Sequence, residues 1–321
     1  MHDLCQTVGR AKISISIRIW EISGDCLGWQ ILNDGSQVGR ACCQSDSILA
    51  VIIHQLEFPE EVEVHRDKRW RREPDRRIEE SLTAETFIEQ IGFCALLTDS
   101  RRPGPSLYTA VCGRRDAHVP RNVQKDPESR LAWTIKDEAI RRGRVYYGKL
   151  RGGRSIFLSR RLIPYFNAVW GVHRNQERMV LSQSAQRILK VLRNEWEMAT
   201  RDLRSASGIT DRSSFNKGID ELQRVLKVIP SEVVYEPVFT YIWSLAEARF
   251  QDELTAAVSR EDALREIART YLEGAGMTFR GELARVTGLS NPEAGLGNWA
   301  LVDEGFAIRL APGIYCLKEL R

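Results

Sequence analysis

The sequence predicts an α+β protein built from tandem winged helix-turn-helix modules beside a small β-hairpin or barrel-like region. Three features predict it. In residues 183–243, three stretches of helical periodicity precede two strand-like stretches; residues 259–317 repeat that order; and residues 144–158 read as a hairpin closed by Arg151-Gly152-Gly153-Arg154. At 321 residues and 36.7 kDa, the chain has room for about two globular units at roughly 150 residues each.

Taken in chain order, Ile13, Ile15, Ile17 and Ile19 alternate with Ser14, Ser16 and Arg18, the period of a half-buried strand, but no partner strand is evident. Glycines then break the chain, and residues 57–77 are dense in charge and contain Pro59 and Pro74. Residues 1–78 are therefore expected to be poorly structured or loosely appended. Next comes a basic α+β module over 79–175. It holds a helix from Thr83 to Ile91 stopped by Gly92, a strand from Phe93 to Leu97, a turn at Arg102-Pro103-Gly104-Pro105 and a second strand from Leu107 to Val111. A helix from Leu131 to Arg142, the hairpin, and a helix from Leu162 to Trp170 with Pro164 near its start complete it.

The first winged-helix module is placed at 176–250. Ala185, Ile188, Leu189, Leu192 and Trp196 recur at helical spacing, a short helix spans Thr200 to Ala206 before Gly208, and a third buries Phe215, Ile219, Leu222 and Leu226. Ile229, Glu232 to Tyr235 and Phe239 to Trp243 supply the wing. The second module is placed at 251–321. Ser259 stands three residues before Asp262 at capping spacing, Thr278 to Val286 and a segment opened by Pro292 read as helices, and Ala311-Pro312-Gly313 turns a closing hairpin.

Composition excludes several classes of function. No apolar run approaches the ~18 residues of a membrane span, and residues 1–18 lack the pattern of a secretory leader, so a cytoplasmic protein with no membrane partner is expected. The seven cysteines, at 5, 26, 42, 43, 94, 112 and 316, form no Cys-x-x-Cys, and the five histidines are isolated; neither a metal site nor a triad is predicted. Without a Gly-x-x-x-x-Gly-Lys loop or a dinucleotide fingerprint, no nucleotide or other cofactor is expected.

Charge is unevenly placed. Residues 1–98 carry net −5, residues 99–161 net +10 and residues 162–321 net −1. The basic middle, interleaved with Tyr108, Trp133, Tyr146, Tyr147 and Phe157, suits a surface facing phosphates, although a charge run also serves as a solvated face. Its candidate contacts to double-stranded DNA are Arg141, Arg142, Arg144, Lys149, Arg151 and Arg154. The third helix of the first module adds Arg212, Ser213, Asn216 and Lys217, with Asp220 and Glu221 weakening that face; the third helix of the second module has almost no cations and is expected to pack inside. Lys136 and Asp137 form the most reactive-looking pair. Lys136 suits a nucleophile or proton relay, whereas the Thr134-to-Asp137 spacing equally suits a helix cap with Trp133 as its staple.

Four blocks, Phe87-Ile88-Glu89-Gln90-Ile91-Gly92-Phe93-Cys94, Trp133-Thr134-Ile135-Lys136-Asp137, Arg144-Val145-Tyr146-Tyr147-Gly148-Lys149-Leu150 and Leu162-Ile163-Pro164-Tyr165-Phe166, resemble the AlkZ-related branch of the AlkZ (YcaQ) winged-helix family. The resemblance spans about residues 80–320. It implies tandem winged helices and a β-barrel that grip duplex DNA, and the chemistry of DNA glycosylases that unhook crosslinks and release alkylated purines. The family's catalytic signature is Gln-x-Gln or Gln-x-Asp; Gln44-Ser45-Asp46 and Gln124-Lys125-Asp126 match its spacing outside an apolar helical context, which leaves Lys136 and Asp137 as replacement candidates. The expected function is therefore DNA binding in repair at the nucleoid, with a non-catalytic winged-helix transcriptional regulator as the alternative.

Overall fold

Short antiparallel strands alternate with amphipathic helices in a computed structural model that describes residues 16–22, 26–32, 58–99, 104–151 and 153–320. The chain divides into two units, Met1–Glu57 and Phe58–Arg321. In the first, β1 (Ser16–Ile22) pairs antiparallel with β2 (Cys26–Leu32), Ser16 opposite Leu32 and Ile22 opposite Cys26. The isoleucine-rich strand thus has a partner, contrary to expectation. Ile13, Ile15 and the Gln44-Ser45-Asp46 triplet lie outside the described residues.

The second unit begins well before residue 79. Helix α1 (Glu60–Trp70) presents Val62, Arg66 and Trp70 inward at i, i+4 and i+8. Arg66 is 2% exposed. Its guanidinium donates to the carbonyls of Ala275 (2.8 Å) and Met277 (2.7 Å), pairs with Glu282 at 3.2 Å, and lies 3.6 Å over the Phe58 ring. A helix whose buried stripe carries an arginine at its centre looks polar all round, which is why the sequence pattern sets the boundary near 78, too late.

The basic module that follows has the same order of elements as the two modules after it. It runs α2 (Ser81–Ile91), β3 (Phe93–Ala95), α3 (Leu107–Cys112), α4 (Pro127–Arg142), β4 (Tyr146–Lys149) and β5 (Ser155–Leu158), with sheet order β3-β5-β4. After α5 (Ile163–Trp170) and the short α6 (Glu177–Val180), a second copy runs α7 (Gln183–Glu195), β6 (Glu197–Ala199), α8 (Thr200–Ala206), α9 (Arg212–Arg224), β7 (Val228–Val234) and β8 (Thr240–Leu245), order β6-β8-β7. Helix α10 (Glu247–Thr255) leads to a third: α11 (Arg260–Ala275), β9 (Met277–Thr278), α12 (Glu282–Thr287), α13 (Asn291–Asp303), β10 (Ala307–Ala311) and β11 (Ile314–Leu317), order β10-β11-β9. In all three, the last strand is central and antiparallel to both neighbours.

The backbone confirms the triplication. Positive φ recurs after the first helix at Gly92, Trp196 and Gly276, after the second at Gly113, Gly208 and Gly288, and after the third at Gly143, Leu226 and Gly305. Trp196 and Leu226 hold these turns without glycine, so the sequence does not advertise the repeat. No sheet among the described residues closes into a barrel; each has two or three strands.

Other expectations also change. Leu107–Cys112 is a helix, not a strand. Ser106 caps it by accepting from Thr109 N at 3.0 Å, and all six residues are buried, so neither helical nor strand alternation is visible. Trp196 is 65% exposed because its positive φ ends α7 one step before the apolar stripe reaches it. On α13, Ala294, Gly297, Asn298 and Leu301 face inward, whereas Leu296 and Trp299 are exposed. Copies one and three share a core that joins Phe93, Phe166, Ile267 and Tyr271, into which copy two also sends Leu226, Ile229 and Val233; the three helices of copy two bury a second core around Ile188, Leu192, Phe215 and Leu222.

Candidate nucleic-acid interface

Helix α9 is the third helix of the second copy. Asp211 caps it by accepting from Ser214 N at 2.6 Å, Phe215, Ile219 and Leu222 point into the core, and Gly218 lies close to Ile188 and the α7 backbone. The opposite face leaves Arg212, Ser213, Asn216 and Lys217 exposed, as their spacing predicts. None of the four has a hydrogen bond or ion pair through its side chain among the described residues. The two acids of this helix are consumed internally: Asp220 holds Lys149 at 2.8 Å, and Glu221 accepts from Ser182 N at 2.9 Å.

The basic middle segment is more committed. Arg142 donates to Glu85 at 2.7 Å and Arg144 lies 3.8 Å from the same carboxylate; Arg141 faces Glu232 at 3.4 Å; Arg154 donates to the Leu97 carbonyl at 3.0 Å. Arg151 is exposed at the tip of the first wing.

Copies one and two meet reciprocally. The first wing reaches α9, with the Lys149 backbone N–H donating to Gln223 Oε1 (3.1 Å) and the Lys149 ammonium pairing with Asp220. The second wing reaches α4 through Tyr235 and Tyr241. Between them lies a cleft of ≈ 310 Å³ lined by Tyr147, Lys149, Asn216, Gln223, Tyr241 and Trp243 among others. A larger hollow, ≈ 600 Å³, lies beside α1 and the end of the third wing, where His65, Arg69, Glu273, Lys318 and Glu319 balance in charge and His65 is held by the Glu273 carbonyl at 2.8 Å.

Lys136 and Asp137 sit behind the cleft in the middle of α4. The helix begins at Pro127, and its cap is Asp126, which accepts from Ser129 N at 2.7 Å. The cap reading of Asp137 is therefore corrected, and the Gln124-Lys125-Asp126 triplet is a helix entrance. Lys136 is fully buried: its ammonium lies 2.6 Å from Asp137 Oδ1 as an ion pair rather than an aligned hydrogen bond, donates to Tyr241 OH at 3.0 Å, and sits 4.4 Å from the Trp133 ring centre. Asp137 accepts from the Tyr235 hydroxyl. Burial, together with that acceptor, pushes the Tyr235 phenol up to about 12, so at neutral pH it is a protonated donor. Burial likewise pushes the Cys112 thiol up to about 12, leaving it without thiolate character.

Four aromatic rings continue from this anchor. Tyr235 to Phe239, Phe239 to Tyr241 and Tyr241 to Trp243 are 5.5, 5.4 and 5.5 Å between centroids, running from an exposed wing tip into the cleft. The sequence reading missed these residues as site candidates. Alternation of Phe239, Tyr241 and Trp243 at i, i+2 and i+4 on one strand face is the signal that locates them.

This architecture is that of an α+β protein in which one order of three helices and three short strands recurs three times. The profile of the family described as AlkZ related matches residues 78–287, about two thirds of the chain, and the protein belongs to that family. Among solved structures it is similar to the Streptomyces sahachiroi DNA glycosylase AlkZ, with 13% identity, a TM-score of 0.52, and coverage of 81% of this chain and 69% of that one. At that identity the likeness establishes the fold. No curated protein sequence matches the chain.

Proposed function

We propose that this protein binds double-stranded DNA through its second winged helix and acts in DNA repair, as a glycosylase-related protein for alkylated or crosslinked bases. The observation that carries this reading is the α9 face: two cations, a hydroxyl and an amide, exposed and unpaired, beside a cleft into which one of them, Asn216, also points. Arg151 at the first wing extends the cationic surface, as does Arg141 if its pair with Glu232 opens. Such a protein works in the cytoplasm at the nucleoid and needs no cofactor for hydrolysis of a glycosidic bond. The experiment is duplex binding by fluorescence anisotropy across a salt series, on undamaged and alkylated DNA, with base release followed in parallel. Binding that ignores salt refutes the DNA reading.

Within this reading, Lys136 and Asp137 are the candidates for chemistry, and both are sealed by the second wing. A role for Lys136 as nucleophile requires the wing to lift from Tyr241. The ammonium first passes a proton to Asp137; the free amine then forms a bond to the anomeric carbon as the glycosidic bond breaks with its electron pair leaving on the base, which takes up that proton, and ring opening, with a second amine proton moving to the ring oxygen, yields an imine that borohydride traps. Asp137→Asn then abolishes base release while affinity persists. The alternative of a non-catalytic transcriptional regulator is favoured by the same burial of Lys136 and by the use of Asp126 as a cap. It predicts preference for one operator, no trapped adduct and no response to alkylation.

A further inference from the structure

We propose that the cleft between the first wing and α9 is a receptor for a single nucleobase extruded from DNA, an assignment that rests on DNA binding by the adjoining helix. Its size, ≈ 310 Å³, stands at the small end of the roughly 300–1,000 Å³ of small-molecule sites, suited to one heterocycle rather than an extended substrate. Its charge selects the same ligand. The one cation and one carboxylate in the wall, Lys149 and Asp220, are paired at 2.8 Å. The lining is thus close to neutral, matched to neither a phosphate cluster nor a metal ion.

What remains is aromatic surface and hydrogen-bonding edge. Tyr147, Tyr241 and Trp243 supply the surface, on which a nucleobase gains by stacking whatever its sequence identity. Gln223 is 4% exposed and oriented, because its Oε1 accepts from the Lys149 backbone N–H; its Nε2 donates to no described residue and is left as a donor in the cleft wall. Tyr241 is oriented too. Its oxygen accepts from Lys136 at 3.0 Å, so its own hydrogen is free to donate elsewhere. The buried lysine thereby acts as a positioning residue for the cleft. Asn216 belongs both to the exposed face of α9 and to the cleft lining. A base leaving a duplex held on Arg212 and Lys217 therefore meets the cleft at its edge, and extrusion is least costly where the base is unpaired.

The test is a photo-crosslink with the full-length protein. A duplex carrying one 5-iododeoxyuridine opposite an abasic site is irradiated in the complex, and the adduct is mapped by mass spectrometry. Crosslinks at Tyr241, Trp243 or Tyr147 are expected, at least tenfold above those from the same base fully paired. Ser155→Phe, which fills the cleft from the strand opposite α9, is expected to reduce the adduct at least tenfold while duplex affinity stays within twofold. Should that variant not fold by circular dichroism, the wild-type adduct map decides alone. Duplex binding that persists with adducts only outside the cleft overturns the receptor and leaves the DNA reading standing; loss of any salt-sensitive duplex binding overturns both.

Discussion

Replacing Lys136 by methionine removes a charge from a site that water does not reach. The side chain is fully buried, 2.6 Å from Asp137 Oδ1 and 3.0 Å from Tyr241 OH. Methionine keeps most of the aliphatic volume, so the loss is electrostatic. Asp137, 6% exposed, is left with the Tyr235 hydroxyl as its donor. An uncompensated buried charge of this kind costs about 3–5 kcal/mol. Asp137→Asn strands the ammonium instead; the Trp133 face and Tyr241 hydroxyl retain part of its stabilisation, so a cost of about 3 kcal/mol is expected. The double variant leaves no charge to strand and should cost less than either single, so that the singles are non-additive by at least about 3 kcal/mol. Urea unfolding of the four proteins at neutral pH gives these values, and hydrogen exchange in the second wing shows whether the loss is local. Single costs below about 1 kcal/mol, or a double variant that equals the sum of the singles, would refute the anchoring role.

Gly288 and Gly208 occupy the same turn in copies three and two. A Cβ at Gly288 (φ +87°) would stand 2.3 Å from the Arg151 carbonyl oxygen, whereas at Gly208 (φ +63°) nothing lies within 4 Å. Gly288→Ala should therefore cost about 3 kcal/mol and Gly208→Ala about 1 kcal/mol by thermal or urea unfolding; equal losses would show that the first wing does not rest on the third copy. A chain beginning at Phe58 should unfold cooperatively, while one beginning at Ile78 should not, because it strands the Glu282 carboxylate that Arg66 neutralises; a cooperative transition from the shorter chain would contradict the role given to α1. Arg212→Ala and Lys217→Ala should each flatten the salt dependence of duplex binding by about 0.9 in log-log slope. Arg142→Ala, whose guanidinium is spent on Glu85, should leave that slope unchanged.

The second and third copies are legible in the sequence because each first helix carries an uninterrupted apolar stripe, Ala185-Ile188-Leu189-Leu192 and Leu264-Ile267-Ala268-Tyr271. The first copy is not. Its second helix, Leu107–Cys112, is buried on every side and shows no period. Loops also stretch it, separating the turn at Gly92 from that at Gly113 by 21 residues, against 12 between Trp196 and Gly208 or between Gly276 and Gly288. At the candidate site, the outward residues of α9 follow from helical spacing alone. The partners of Lys136 and Asp137 do not, because Tyr235 and Tyr241 lie about a hundred residues away and local spacing suggests only a cap.

The three copies differ in what their third helices are left to do. In the first, α4 is turned toward the second wing, where Lys136, Asp137 and Arg141 are all engaged. In the third, α13 packs on α11 and offers Leu296 and Trp299 to solvent with no cation of its own. Among the three third helices, α9 is the one that sets two cations with no partner among the described residues, Arg212 and Lys217, together on an outward face beside a hydroxyl and an amide. Its inner face packs in the helical core of its own copy, and that copy joins the first through the Lys149 to Asp220 pair, the Gln223 amide, the tyrosines of its wing and the buried side chains of Leu226, Ile229 and Val233. The proposed DNA surface thus falls on the helix whose outward cations no other described residue claims. The buried ion pair behind the cleft then has a purpose that packing alone does not give it, since an apolar substitute would fill the volume without orienting Tyr241 toward the cleft.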